Sequence, residues 1–346
     1  MSQKFFRLNR QMRLESGQVL LEPTLSYRIY GDAEDDERPV IWVCHALTAN
    51  DDPFEWWDGL FGDNSLFNSE EFTIICANMI GSCYGSTGPL SINPINGQPY
   101  HHEFPVLTVR DMAKAFAQLA LSLGIDKVDL LIGASLGGQV ALQWAVDDPN
   151  LFGSAVFLAT NVFHSPWGIA FNESQRMAIE NDPTWQKHTA DSGLAGMKVA
   201  RSMALLSYRN YNCYKEDQSR DASDTPFEFS AQSYQRYQGE KLARRFNAIS
   251  YHRLSKVMDS HDISKGHGSV NNALSRLRMP VLSISMEGDI LFPLNEQEEI
   301  ADGIKDAIHM EIPTKKGHDG FLIETEKLSL ILEEFVQKNI GEKITL

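Results

Sequence analysis

The sequence predicts an α/β chain, a mostly parallel, doubly wound sheet with an inserted helical subdomain. Short, continuously apolar runs recur along it, as in strands buried on both faces of a parallel sheet. Helical periods alternate with these runs early and late in the chain, the usual way of connecting parallel strands. Between about Asn161 and Arg276 the alternation stops, and helical periods continue without apolar strands.

The elements follow in order. Val19–Tyr30 is apolar and β-branched but broken by Pro23, which suits an early antiparallel strand or hairpin. Asp32–Arg38 reads as an acidic turn. Val40–Cys44 and Phe72–Ala77 are the first two buried runs. Gly81–Pro99, rich in Gly, Ser, Pro and Asn, is a long loop. Thr108 to Leu123 is an amphipathic helix, with Thr108 as its N-cap and Gly124 as its stop. Lys127–Ile132 is a third strand, Gly137–Val146 a helix directly after the turn that follows, and Ser154–Ala159 a fourth strand. The segment after it is rich in Ser, Arg, Tyr, Gln and Asn. Val281–Met286, Asn295–Gly303, Ala307–Ile312 and Leu328–Lys338 then resume the strand–helix alternation. Residues 1–160 and 277–346 are therefore expected to form the core, and 161–276 a helical lid. No internal repeat or low-complexity tract is visible.

Bulk properties bound the function. A chain of 346 residues exceeds the usual single compact domain, so a large core or an inserted subdomain is expected. Against 46 acidic residues there are 31 basic ones, a formal charge of −15. That balance argues against nucleic acid or an anionic membrane as partner. A phosphate-bearing molecule remains possible, since it needs only a few local cations. The four cysteines have neither paired metal-ligand spacing nor the density of a disulfide scaffold. Cys44 and Cys76 lie in apolar runs and read as small buried thiols. No N-terminal stretch suits a signal peptide, and no run approaches the ~20 apolar residues of a membrane span. The cytoplasm is the expected location.

Gly133-Ala134-Ser135-Leu136-Gly137-Gly138 matches Gly-x-Ser-x-Gly, a pattern short enough to arise by chance. Context gives it weight, because the apolar run Val128–Ile132 precedes it and a helical period follows at once. Such a strand–turn–helix holds a serine in a strained, exposed turn, the nucleophile elbow of the α/β-hydrolase fold. The glycines suit a turn too tight for Cβ atoms. The backbone N–H of Leu136 then faces a developing oxyanion from the start of the new helix. The alternative is an ordinary βα turn that uses Gly and Ser for packing.

In this fold the partners follow in the order Ser, acid, His, each after a later strand. Asp289 follows the run Val281–Met286, and His318 follows Ala307–Ile312. Glu287 rivals Asp289, but the position after Gly288 favours the latter. Of the ten histidines, His101 and His102 precede the serine. His164, His188, His252, His261 and His267 fall in the insertion, and His309 within a strand. His261 and His267 lack a carboxylate or cysteine to complete recognised ligand spacing, so no metal is expected. A second oxyanion donor is expected in Cys44-His45-Ala46-Leu47-Thr48, from the N–H of Leu47 with help from the Thr48 hydroxyl. His45 reads as a brace for this loop rather than a base.

These residues resemble one family along nearly the whole chain, the homoserine O-acetyltransferases built on the α/β-hydrolase fold. The matching blocks include His45-Ala46-Leu47-Thr48, Trp56-Trp57, Asn78-Met79-Ile80-Gly81 and the loop Gly85-Ser86-Thr87-Gly88-Pro89-Leu90-Ser91-Ile92-Asn93-Pro94. The insertion adds Phe171-Asn172-Glu173, Gln175-Arg176, Arg244-Arg245-Phe246-Asn247 and Asp259-Ser260-His261-Asp262. Asp289-Ile290-Leu291-Phe292-Pro293 and Gly317-His318-Asp319-Gly320-Phe321-Leu322 complete the set. Ala134, Leu136 and Ala49 depart from the family's usual Gly, Met and Gly.

The resemblance implies a ping-pong transfer from acetyl-CoA to L-homoserine through a Ser135 acyl-enzyme, with no permanently bound cofactor. It also implies substrate contacts from Arg201, Tyr208, Asp319 and Thr48. Arg201 and Tyr208 are seven residues apart in a helical stretch and so share one face. Arg201 offers a planar fork for a carboxylate, Tyr208 a hydroxyl, and Asp319 a partner for an ammonium. The inserted helices resemble the family's lid, which also makes a homodimer contact. Serine as acceptor, succinyl-CoA as donor, plain ester hydrolysis and ligand binding without turnover remain as rival readings.

Overall fold

The computed structural model describes residues 2–8, 10–32, 38–218 and 228–344. Four strands come from the N-terminal segment: β1 (Lys4–Arg7), β2 (Gln11–Arg13), β3 (Val19–Leu21) and β4 (Thr24–Tyr30). Pro23 divides the run expected at Val19–Tyr30, so its two halves pair differently. β3 joins β2 in a separate antiparallel ribbon, whereas β4 enters the main sheet between β1 and a later strand. β1 escaped sequence reasoning because most of Lys4–Arg7 is exposed and carries no buried-strand pattern. Residues 33–37 of the expected acidic turn lie outside the described residues.

The parallel part contains β5 (Val40–Cys44), β6 (Thr73–Ala77), β7 (Leu130–Ala134), β8 (Ala155–Leu158), β9 (Val281–Met286) and β10 (Ile308–Ile312). The eight-stranded sheet runs β1-β4-β6-β5-β7-β8-β9-β10, antiparallel only around β4. Why the runs are apolar throughout is visible in β5. Trp42 and Cys44 belong to one buried cluster, and Ile41 and Val43 to the other. Successive side chains point to opposite faces, and both faces are covered. β7 starts later than the apolar run suggested and continues through Gly133 and Ala134, two residues with little hydrophobic signal.

One face packs against α2 (Val109–Ser122) and α3 (Leu136–Asp147). Thr108 caps α2 through a capping box with Asp111. The other face is covered by the segment containing the short helix α1 (Pro53–Trp56) and by the C-terminal helix. Between β8 and β9 lie α4 (Pro166–Glu180), α5 (Leu194–Tyr208), α6 (Tyr211–Asp217), α7 (Ser230–Ala243), α8 (Ala248–Asp259) and α9 (Val270–Leu274). Arg176 and Asn172 on α4 both hydrogen-bond Asp259 on α8, at 2.6 and 2.8 Å. Gly196 lets α5 approach α4 closely, since a Cβ there would lie 2.4 Å from the Ala178 carbonyl oxygen. The two ends of the insertion pair with each other, His164 N–H donating to the His261 carbonyl and Ile263 N–H to that of Val162.

After β9 come α10 (Leu294–Asp302), β10, α11 (Gly320–Ile323) and α12 (Thr325–Ile344). α12 is longer than its apolar period indicated, because only the stripe Leu328, Leu332, Phe335, Val336 and Ile340 meets the sheet. No helix among the described residues is long and apolar enough to cross a membrane.

Trp57 ties the two ends of the fold together. It is fully buried, and its indole N–H donates to the Phe321 carbonyl at 2.8 Å. Trp57→Phe leaves that buried carbonyl without its donor, a loss of about 1–3 kcal/mol. The urea midpoint should fall at an unchanged m-value; an unaltered midpoint would refute this link.

Candidate active site

The site is built on the turn between β7 and α3. Ser135 has φ 57° and ψ −126°, a conformation that costs a non-glycine residue about 1–3 kcal/mol and persists only when its surroundings enforce it. Here they do. A Cβ on Gly133 would lie 2.4 Å from the Gly137 carbonyl oxygen, and one on Gly137 only 2.1 Å from that of Cys44. On Gly138 it would meet the Thr160 side chain at 2.7 Å. The Ser135 N–H donates to the Leu158 carbonyl, and its own carbonyl accepts the Thr160 hydroxyl, each at 3.0 Å.

His318 reaches this serine, with Nε2 3.0 Å from Ser135 Oγ. Its Nδ1 lies 2.7 Å from Asp289 Oδ2, while Asp289 Oδ1 accepts the N–H groups of Leu291 and Phe292 at 2.9 Å each. An ionised carboxylate only accepts, so Nδ1 carries the ring proton and Nε2 is left to take one from Ser135. Phe292 stacks on the imidazole, and Phe321 meets it edge-on. Glu287, the rival acid, instead accepts the Thr314 N–H at 3.2 Å.

Gly137's close approach to Cys44 places the start of α3 beside the end of β5. There Leu47 and Thr48 form the middle of a turn closed by Ala49 N–H to the Ala46 carbonyl, at 3.0 Å. Leu136 is the first residue of α3, where an N–H has no intrahelical acceptor. His45 braces the loop: its Nε2 accepts the Met79 N–H at 3.0 Å, and its Nδ1–H donates to the Ala46 carbonyl. Complete burial pushes its pKa down to about 4 and keeps it neutral.

A pocket of about 60 Å³ brings together Leu47, Thr48, Ser135, Arg201, Tyr208, His318 and Asp319. Leu136 and Asp289 are buried and are absent from its lining. Arg201 and Tyr208 do share a face of α5, with the guanidinium carbon 5.2 Å from the phenol ring centre. No carboxylate among the described residues pairs with Arg201.

Asp319 is different, because Arg209 Nε donates to its Oδ2 at 2.7 Å. Sequence reasoning missed Arg209. It caps α5 in an extended conformation just after Tyr208, so the two neighbours diverge, one into the pocket and one behind Asp319. No helical period could signal a residue beyond the helix end. His261 and His267 are engaged separately, by the Asn161 carbonyl and by Asp147. Among the described residues, no group of three or more His, Cys, Asp or Glu is placed to hold a metal.

Residues 39–325 match the family model of the alpha/beta hydrolase fold. The solved esterase E22 superimposes with a TM-score of 0.85 at 19% identity, covering 97% of this chain and 99% of that one, a likeness of fold alone. The homoserine O-acetyltransferase structure from Staphylococcus aureus gives 0.81 at 29% identity, covering 97% of this chain and 95% of its own. A homoserine O-acetyltransferase of Cyclobacterium marinum is 46% identical over 99% of this chain and 97% of its own length. On that extent of agreement, the chain belongs to the homoserine O-acetyltransferase family of the α/β-hydrolase fold.

Proposed function

We propose that this chain transfers an acetyl group from acetyl-CoA to the hydroxyl of L-homoserine, with Ser135, His318 and Asp289 as the catalytic triad. One observation carries the choice of transfer over hydrolysis: the pocket that holds Ser135 is also walled by the unpaired Arg201 and by Asp319. Water needs neither charge. An amino-acid acceptor presents a carboxylate and an ammonium, and these two side chains are their natural partners.

His318 Nε2 removes the Ser135 proton as Oγ attacks the thioester carbon, and Asp289 steadies the imidazolium that forms. The oxyanion is met by the N–H groups of Leu47 and Leu136, with the Thr48 hydroxyl alongside. Collapse of the adduct breaks the C–S bond, and His318 returns its proton to the leaving thiolate. The acceptor hydroxyl then gives a proton to the same nitrogen and attacks the acyl carbon; collapse of this second adduct breaks the Ser135 Oγ–acyl bond, and His318 returns the proton to Oγ. Arg201 holds its carboxylate, Tyr208 adds a hydroxyl, and the free oxygen of Asp319 takes the ammonium. The small pocket favours a short acyl group over a longer, charged one. The enzyme needs no permanently bound cofactor and works in the cytoplasm as a homodimer joined through residues 161–276. Exposed Val199, Leu206, Tyr211 and Tyr237 on that insertion support the last point. Plain ester hydrolysis, with water as acceptor, is the competing use of the same triad.

Three measurements test this reading. Coenzyme A release from acetyl-CoA should depend on homoserine and exceed the rate with serine or no acceptor. Ser135→Ala should cut it by roughly 10⁴-fold or more, and release independent of acceptor would sink the transferase reading. Arg209→Met frees the Asp319 carboxylate from its fixed orientation. The homoserine KM should rise about tenfold to a hundredfold, as expected for a lost charge-assisted bond, with Lys restoring part of it. Equal increases in the acetyl-CoA and homoserine KM values would refute the positioning role. In sedimentation velocity the protein should run at twice its chain mass of 38.9 kDa; a monomer at micromolar concentration rules the dimer out.

A further inference from the structure

The transferase reading needs a donor with several phosphate charges, yet the chain carries −15. Most cations near the pocket are already neutralised. Arg209 pairs with Asp319 at 2.7 Å, Lys316 with Asp217 at 2.6 Å and Lys315 with Glu216 at 2.7 Å. Arg245 is not. It is exposed, and its hydrogen bonds go to neutral oxygens: Nη1 to the Thr48 carbonyl and the Tyr84 hydroxyl, each at 2.5 Å, and Nη2 to Thr48 Oγ1 at 3.4 Å. No carboxylate among the described residues pairs with it. Since Thr48 lines the Ser135 pocket, an uncompensated guanidinium sits at the pocket's rim.

A second cavity, of about 210 Å³, lies next to this arginine, between the loop 82–91 and the start of α8. Cys83 joins the two, lining the cavity while its thiol donates to the Arg245 carbonyl at 3.7 Å. Ser82 and Ser250 also line it, at 2% and 0% exposure, and neither hydroxyl has a hydrogen-bond partner. Buried hydroxyls are normally bonded, so two left without partners in residues that line one cavity point to a polar ligand there. The start of α8 adds a favourable field. Asn247 caps the Ser250 N–H at 2.7 Å, leaving the first two N–H groups without intrahelical acceptors. On the loop wall Gly88 must stay bare, because a Cβ would lie 2.5 Å from the Ser82 carbonyl oxygen.

We propose that Arg245 and this hydroxyl-lined cavity bind the phosphate groups of the acyl donor, outside the pocket where the chemistry occurs. The proposal rests on the acyl-CoA reading given above. Arg245 donates charge-assisted hydrogen bonds to phosphate oxygen, Ser82 and Ser250 donate their hydroxyls, and the thioester end reaches Ser135 past Thr48.

The test compares kcat/KM for acetyl-CoA with that for S-acetylpantetheine, the same thioester without the phosphorylated nucleotide. The wild-type protein should prefer acetyl-CoA, and the preference should fall as ionic strength rises. Arg245→Gln, and separately the pair Ser82→Ala with Ser250→Ala, should each lower that preference by about tenfold, equivalent to about 1.4 kcal/mol. If Arg245 merely braced Thr48, both donors would slow together and the ratio would hold, which overturns the proposal. A wild-type protein that uses both donors equally overturns it without any variant, while leaving the transferase reading intact. Failure of the wild-type protein to release coenzyme A from acetyl-CoA overturns both.

Discussion

The approach of Gly137 to the Cys44 carbonyl, where a Cβ would stand at 2.1 Å, is the contact on which the site depends. It presses the start of α3 against the end of β5, directly after Ser135 with its φ of 57°. The strained serine and the approach of the two elements that carry Leu47 and Leu136 thus meet at one turn. There the Ser135 hydroxyl lies 3.0 Å from His318 Nε2, and the N–H groups of Leu47 and Leu136 are the proposed oxyanion donors. Such donors cost no reorganisation when charge develops, which is why fixed backbone dipoles serve an oxyanion well.

The triad alone does not separate transfer from hydrolysis. An esterase at 19% identity shares the architecture, so the fold does not fix the acceptor. The difference lies in the wall opposite the serine. Among the described residues Arg201 lacks a carboxylate partner, whereas Asp319 has one oxygen held by Arg209 and the other free. A half-occupied carboxylate is a directed acceptor, since its orientation is fixed before the substrate arrives. In the proposed reaction, an acceptor that meets both charges is held beside the acyl-enzyme, and that proximity lets its hydroxyl compete with water.

The legible parts of the sequence were those governed by local pattern. β9 matched its run residue for residue, and the order of Ser135, Asp289 and His318 could be read because each follows a strand. Arg201 and Tyr208 were placed on one face by their seven-residue spacing, although their roles came from family resemblance. The illegible parts depend on where the chain goes after an element ends. Arg209 faces Asp319 because α5 stops and the backbone turns extended at that residue. Arg245 lay in a matching block, yet its partners Thr48 and Tyr84 are more than 150 residues away in sequence. β1 was invisible because an edge strand in contact with one neighbour needs no continuous apolar run.

The proposed nucleophile, base, acid and oxyanion donors come from the sheet and its loops, whereas Arg201, Tyr208 and Arg209 come from α5 and its cap. The two sets are joined by pocket contacts and by the Arg209–Asp319 pair. The insertion must therefore be rigid relative to the sheet, or the charges that select the acceptor would drift from the acyl group. Its construction meets that need. Arg176 and Asn172 fix α4 to α8 through Asp259, Gly196 seats α5 on α4, and the bridge between segments 162–164 and 261–263 holds both ends. Acceptor choice can thus change through α5 while the chemistry stays with the sheet.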